Sequence, residues 1–522
     1  MASKGRGTRA SRVAVAALFA AGIAGCGGGG GGDATTASPV AGPDPAASQP
    51  QVPVARTWGP ESLVPGYPLD GPSMQPDGGL AMTFRNSANG TITRVSGAPG
   101  VEWAVTHSLP VGNTPGGSFL AFATSGDRFA AARLEAGREV LVAGNGAGQS
   151  TVPETVSTTG LVGYEAPKLH WNPDGSLTAL WTEGSPTSSQ GTQLKLRRWQ
   201  AGIGWNPEEF LDVSTELSYF RITPLPSGRG LITYSRAWTG SPGEIVAQRL
   251  DARGLPDETA VRLDDAPVGP SNIYSLRTVP QSAGLVASWM ENPAGGGNCL
   301  VSRVWRAGSW SSRSCVNAAS VAGAVWEWSV SAHRAGPAVA LWRGSDIRVS
   351  VRTEGGTWGM EQVVTDDAST AAQLQAAICP DGRATVVWSA NESVDGKTDG
   401  VVYGRQRSRS GQWGPRTELA RSTDKGPIYL QVEADDTCGF TASWAMGGSG
   451  GHDLVVRRWG GDGTLAAAET IASAISIATT YDPIRRYYYY SGFVRMAVDA
   501  SGRTVFAWRN GRDSYLHLRV YK

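Results

Sequence analysis

The sequence predicts an all-β protein: a β-propeller of eight or nine four-stranded blades, its ring closed by an N-terminal strand that completes the last blade. Three observations carry this. First, 69 of 522 residues are Gly and 19 are Trp, while only 17% are charged; Gly with β-branched and aromatic residues suits many short strands joined by tight turns. Second, one turn-and-strand unit recurs: Asp174-Gly-Ser-Leu-Thr-Ala-Leu-Trp181, Asp381-Gly-Arg-Ala-Thr-Val-Val-Trp388 and Ser501-Gly-Arg-Thr-Val-Phe-Ala-Trp508. Looser copies end at Phe84, Ala132, Tyr234, Trp289, Trp342 and Trp444, so the unit returns every 46 to 64 residues. Such a period is the mark of a repeat architecture. Third, the two ends of the chain complement each other.

Residues 164–212 show the unit most clearly. A strand at Pro167–Asn172 meets a Pro-Asp-Gly turn, and a second strand runs from Ser176 to Thr182. The third, Gln193-Leu-Lys-Leu-Arg-Arg-Trp199, alternates with the period of a half-buried strand. A Gly-Trp-Asn-Pro turn leads to a short fourth strand, Glu209–Asp212. Four strands in about 50 residues match one blade. The fourth-strand entry returns as Thr357-Trp-Gly and Gln412-Trp-Gly. The chain ends after a third strand, Tyr515–Val520, and the missing fourth stands at the other end as Thr57-Trp-Gly-Pro-Glu-Ser-Leu-Val64. Letting that strand complete the last blade removes two open sheet edges. Nine blades exceed the usual four to eight, so three readings stay open: the weak repeat near 119–157 is not a blade, the ring is wide, or two smaller β-domains form.

Ahead of the repeats, residues 1–25 read as a signal peptide. Lys4, Arg6, Arg9 and Arg12 precede the apolar run Val13–Gly25, which is too short to span a bilayer as a helix of roughly 20 residues. The run closes on Ile23-Ala24-Gly25-Cys26, which resembles the lipobox of bacterial lipoproteins. That resemblance implies lipidation of Cys26 and an exported chain attached to a membrane through its lipid. Gly27, where an Asp would favour retention, implies by resemblance to Gram-negative lipoproteins an address at the outer membrane. Residues 26–55, Gly-, Pro-, Ala- and Ser-rich, read as a disordered tether, and 56–522 as the propeller domain. Removing the four leader cations from 46 basic residues leaves 42 against 45 acidic ones. That balance gives no electrostatic case for nucleic acid.

Most Trp residues fall at two repeated positions, closing the second strand or opening the fourth, so packing between blades is their expected role. Trp326 and Trp328 fall outside both positions. Four cysteines follow Cys26, an even number that reads as two disulfides in an exported chain. Cys299 and Cys315 lie on the third and fourth strands of one repeat. Cys379 and Cys438 flank the same turn in consecutive repeats, a staple between neighbours. The spacing lacks a CxxC partner and argues against zinc.

No metal and no cofactor are expected. The five His residues form no HExxH, and neither a Gly-x-Ser-x-Gly elbow nor a P-loop occurs. Asp395-Gly-Lys-Thr-Asp399 reads as a solvated hairpin rather than a cation loop. The Asp-Gly turns and Trp-ended strands broadly resemble sialidase-type propellers, but the Asp-box spacing and the catalytic residues of that family have no match here. No catalytic residue is therefore assigned. The longest interval contains Tyr481-Asp-Pro-Ile-Arg-Arg-Tyr-Tyr-Tyr-Tyr490, whose Arg485, Arg486, Tyr488 and Tyr490 are candidate binding residues; the alternative is a strand with alternating Tyr. The first functional reading is a lipid-anchored module that presents a propeller face to a protein or glycan partner in the cell envelope. The alternative is a carbohydrate-active enzyme, glycosidase or lyase in type, with paired carboxylates in the central channel.

Overall fold

A computed structural model describes residues 57–521, apart from intervals of which 111–118, 146–153, 158–166 and 265–273 are the longest. The chain divides into compact units between Ala55 and Arg56, so the leader, Cys26 and the tether lie outside the described residues. The second unit is all-β. Its strands are antiparallel, and no α-helix occurs among the described residues.

Seven sheets follow one another: B over residues 119–155, C over 168–214, D over 216–262, E over 274–315, F over 327–365, G over 371–422 and H over 428–475. Each runs first strand to fourth in chain order, with the fourth split into two short pieces in C and E. The weak repeat left open by the sequence is sheet B, with four strands of its own. Sheet A has eight strands and joins residues 73–110 to residues 494–521 through Ser62–Pro68. A separate hairpin pairs Thr479–Asp482 with Tyr487–Tyr490.

The repeated aromatic at the end of the second strand holds neighbouring sheets together. Trp181, Trp289, Trp342, Trp388, Trp444 and Trp508 are each at most 2% exposed. Each lies in an apolar cluster drawn from two consecutive sheets. Trp388 of G packs with Leu341, Val349 and Val364 of F; Trp444 of H packs with Val387, Val402 and Leu419 of G. Trp508, from the last strands of A, packs with Leu454 and Ile471 of H. The other side of those strands offers Ala507 and Leu516 to Met82 and Phe84 at the start of A. A single twisted sheet buries neither face by itself, so each depends on its neighbours. Trp181 and Trp289 also donate their indole N–H to the carboxylates of Glu183 (2.9 Å) and Glu291 (2.7 Å). Lys195 neutralises Glu183 at 2.6 Å, and Arg313 pairs with Glu291.

A polar suture runs beside this apolar one. Arg197, Arg405, Arg457 and Arg519 occupy the same place near the end of the third strand. In each, Nε donates to a carbonyl at the fourth-strand entry: Asn206, Gly414, Ala466 and Gly59 respectively, at 2.5–3.2 Å. Nη1 reaches into the preceding sheet, to the carbonyls of Val156, Val364, Leu419 and Ile471 at 2.5–3.2 Å. The fourth member shows what the N-terminal segment does. Trp58 bridges Tyr521 as Trp358 bridges Arg352 and Trp413 bridges Arg407. The Gly59 N–H donates to Val520 O at 2.8 Å, as Gly359 does to Val351 and Gly414 to Gln406. Ser62–Pro65 then pairs with the last strand and Gly66–Pro68 with the first repeat. The N-terminal strand thus supplies the fourth strand of the last group.

The four later cysteines stand in two pairs at disulfide distance. Cys299 and Cys315, on adjacent strands of E, have Cα atoms 5.7 Å apart; Cys379 and Cys438, in turns of G and H, have theirs 5.2 Å apart. Asp395 and Gly396 form a two-residue turn with φ of 51° and 74° between Val394 and Lys397, the hairpin expected there. Trp326 is 65% exposed.

Trp388→Ala is expected to lower unfolding free energy by about 3–5 kcal/mol. Trp326→Ala should change it by less than about 0.5 kcal/mol, both read from urea-unfolding midpoints. Equal losses would contradict packing as the role of the repeated Trp.

Candidate anion site on the first strands

The first strand of each of sheets C to H pairs on one side only, with its second strand. Consecutive first strands from C through H to Val494–Val498 lie against one another. Their registers pick out one equivalent position, opposite the residue that precedes the repeated aromatic. Lys168 stands there opposite Leu180, Arg221 opposite Thr233, Arg277 opposite Ser288 and Ser329 opposite Leu341. Gln375 opposite Val387, Gln431 opposite Ser443 and Arg495 opposite Ala507 complete the row. Four of these seven side chains are cations, and none is acidic.

A bulge recurs just before this position. The register slips between Ser218 and Arg221, Tyr274 and Arg277, Ala372 and Gln375, and Ile428 and Gln431. Tyr219, Gln373 and Tyr429 sit in the slips with φ of 55°, 50° and 54°. A left-handed non-glycine residue costs about 1–2 kcal/mol, and a bulge re-aims the side chains beside it. Some of those side chains sew adjacent strands together. Glu327 accepts from Leu374 N at 3.0 Å, Gln373 from Leu430 N at 3.2 Å and Gln431 from Met496 N at 3.0 Å. Thr223 and Thr278 share a hydrogen bond of 2.8 Å between D and E.

Two arginines in the row have no such task. Arg221 is exposed, and among the described residues its side chain meets no hydrogen-bond or ion-pair partner. Arg277 lies with its guanidinium carbon 4.7 Å above the Trp328 ring. Burial, and then repulsion from Arg221, depress its pKa below the ordinary range, with Glu327 opposing. These are two neighbouring guanidiniums, one desolvated and neither hydrogen-bonded to a carboxylate among the described residues, the groups that pair with anions elsewhere in proteins. Lys168 lies with Nζ 5.0 Å from the Phe220 ring centroid.

One acid on these strands stands alone. Among the described residues Glu433 meets no hydrogen-bond or ion-pair partner, and burial raises its pKa from 4.5 to about 7. It keeps some accessible surface, the environment of a side chain that protein surrounds but does not cover. Glu327 and Glu433 are thus carboxylates on first strands two sheets apart.

The residues singled out by sequence lie elsewhere. Tyr488 and Tyr490 are on the separate hairpin, paired with Tyr481 and Thr479, whereas Arg485 and Arg486 lie outside the described residues. His170 accepts no role in this row. It is buried against Gly228 O at 3.0 Å, and desolvation lowers its pKa to about 4. Cys379, Asp381 and Cys438 converge, but the two sulfurs face each other at bonding distance, which leaves no thiolate pair for a metal. The row of cations had a sequence signal that went unread. Each member stands seven residues before the turn glycine, namely Gly175, Gly228, Gly284, Gly336, Gly382 or Gly502. Cys438 takes that place in H with φ of 64°.

No family model matches the chain, and no curated protein matches it. Among solved structures it is similar to a eukaryotic initiation factor at 11% identity and a TM-score of 0.43, covering 80% of this chain and 89% of that one. A polysaccharide lyase follows at 11% and 0.41, covering 89% and 99%. The α-L-arabinanase of Penicillium chrysogenum stands at 14% and 0.30, covering 68% and 92%. Likenesses this distant assign no activity.

Glu433→Gln is expected to alter the pH dependence of stability in one direction. The folded-state pKa lies above the unfolded value, so folding is favoured fully below about pH 4.5 and loses stability as pH rises through about 7. The Gln variant should be more stable than the parent at pH 8, by on the order of 2 kcal/mol, and no more stable at pH 4. Thermal melts across that range read it; parallel curves would contradict the assignment.

Proposed function

We propose that the sheets close into one nine-bladed ring and that the domain is a binding module for an acidic glycan, held on a lipid anchor at the cell envelope. The ring reading counts the two ends of sheet A as separate blades joined by the N-terminal strand. It rests on shared apolar clusters that run from B to H, on to the last strands of A, and from those to the first. First strands would then line a channel. The observation that carries the function is the Arg221–Arg277 pair: two cations placed side by side in the channel wall, with an aromatic face at Trp328 and no hydrogen-bonded counter-charge. Folding alone gains nothing from such repulsion, whereas a bound carboxylate or sulfate relieves it. The anchor is Cys26, and the outer membrane of a Gram-negative cell is the proposed address.

A second reading follows from Glu433. An uncharged carboxylic acid near neutral pH is the form a general acid needs, so a carbohydrate-active enzyme with Glu433 and Glu327 in the channel is the alternative.

A glycan array probed with the full chain in nonionic detergent, followed by product analysis on each hit, separates the two. Retention on acidic glycans without turnover, weakened at least tenfold by R221Q and R277Q together, is the expected outcome. Turnover lost in E433Q would establish the enzyme reading, and equal retention on neutral glycans would overturn both uses of the arginine pair. Cys26→Ser should abolish incorporation of labelled palmitate and release the chain from the membrane fraction; continued labelling would place the lipid elsewhere.

A further inference from the structure

Sheets E and F enclose a groove of about 360 Å³ where the third strand of E ends and the fourth strand of F begins. Its walls carry Arg306 and Trp310 from E and Arg352 and Trp358 from F, with serine hydroxyls between them. Among the described residues lining it, none is acidic. Arg313, also in the wall, pairs with Glu291, and the exposed Arg306 makes an interaction of its own.

Arg352 is the unusual member. It is 4% exposed, yet no carboxylate meets it. One terminal nitrogen, Nη2, donates to Gln281 Oε1 at 3.0 Å and to Gly336 O at 3.1 Å, both neutral acceptors. Its Nε is buried with no partner. Burial, and then the charge of Arg306, lower its pKa. A buried guanidinium with an unmet donor is unfavourable unless an anion completes it. The two indoles are partly buried, Trp310 on the core between D and E and Trp358 on that between E and F, and both also line the groove.

A groove between the next sheets but one differs, because Asp462 lines it and its arginine and tryptophan stand on the earlier sheet. Between G and H a groove of about 390 Å³ holds Arg407 and Trp413, which are bridged as Arg352 and Trp358 are. Arg407 donates Nη1 to the neutral Gly382 O at 2.9 Å, and its Nε is again buried without a partner. Only the groove between E and F, of these two, combines an arginine and a tryptophan on each wall with no acidic residue in its lining.

We propose that the groove between E and F is a saccharide subsite for an acidic sugar unit of a polysaccharide, with Arg306 and Arg352 on its carboxylate or sulfate and Trp310 and Trp358 against the ring. The ligand class is shared with the channel reading, but the residues are not, and either site stands without the other.

The test uses the full chain in nonionic detergent, with binding measured to immobilised polygalacturonate, dextran sulfate and neutral dextran. Retention on either acidic polymer and none on dextran is expected; the two acidic arms tell carboxylate from sulfate. R306Q and W358A should each weaken binding about tenfold, R306Q with unchanged melting temperature and W358A, which also packs on the core between E and F, with a lowered one. R352Q is informative only if it folds, which is why the other two variants carry the test. Unchanged affinity in R306Q and W358A, with loss in R221Q/R277Q, would overturn the groove and leave the channel standing. Loss in those two variants alone would do the reverse. Retention on neutral dextran equal to that on the acidic polymers, or no retention on any, would overturn the groove outright.

Discussion

The succession of sheets from C to H and on to the last strands of A depends on the burial of one aromatic side chain from each against the sheet before it. A four-stranded antiparallel sheet has two faces and no helix here to cover either. Trp181, Trp289, Trp342, Trp388, Trp444 and Trp508 close that deficit by filling the space between neighbours. The packing is directional, since each cluster draws its Trp from the later sheet and its aliphatic floor from the earlier one. A chain built this way has a beginning and an end that are both half-covered, and the N-terminal strand answers that problem by pairing with both the last strand and the first repeat.

Polar groups carry the second layer of the design. The third-strand arginines hold backbone carbonyls from two sheets at once, so their charge is spent on neutral dipoles at the seams. Glu183 and Glu291 likewise serve their Trp neighbours and a basic partner. Arg221, Arg277, Glu433 and Arg352 stand out because the fold uses none of them fully, and all lie where sheets meet. Local electrostatic cost borne without structural return is the physical basis for the functional readings above.

The bulges bear on the same point. Tyr219, Gln373 and Tyr429 hold left-handed backbone at equivalent places, and the residues that follow them are Arg221, Gln375 and Gln431. One extra residue on the first strand turns a side chain that strand alternation would direct elsewhere. Repetition of this distortion in several sheets, at one level, marks it as a property of the row rather than an accident of one loop.

Much of the architecture was legible in the amino-acid order, because turn glycines and Trp-ended strands repeat at a near-constant interval and local periodicity needs no tertiary information. The exchange of strands between the ends was legible for the same reason: Thr57-Trp-Gly copies the fourth-strand entry of other repeats. Sheet B was harder, since its second strand ends on Ala132 instead of an aromatic and so lacks the mark that identifies its neighbours. The candidate site was hidden more deeply. Lys168, Arg221, Arg277 and Arg495 share a spacing from the turn glycine, but a bulge breaks period-two alternation at that point, and their convergence comes from packing one first strand against the next. The conspicuous tyrosine run drew attention by composition, yet its hairpin pairs with no other sheet. Sequence by itself determined the repeat, the turns and the strand that joins the ends, because those follow from local backbone preference. Tertiary structure alone decided which charges lack partners, since pairing depends on neighbours some 50 residues away.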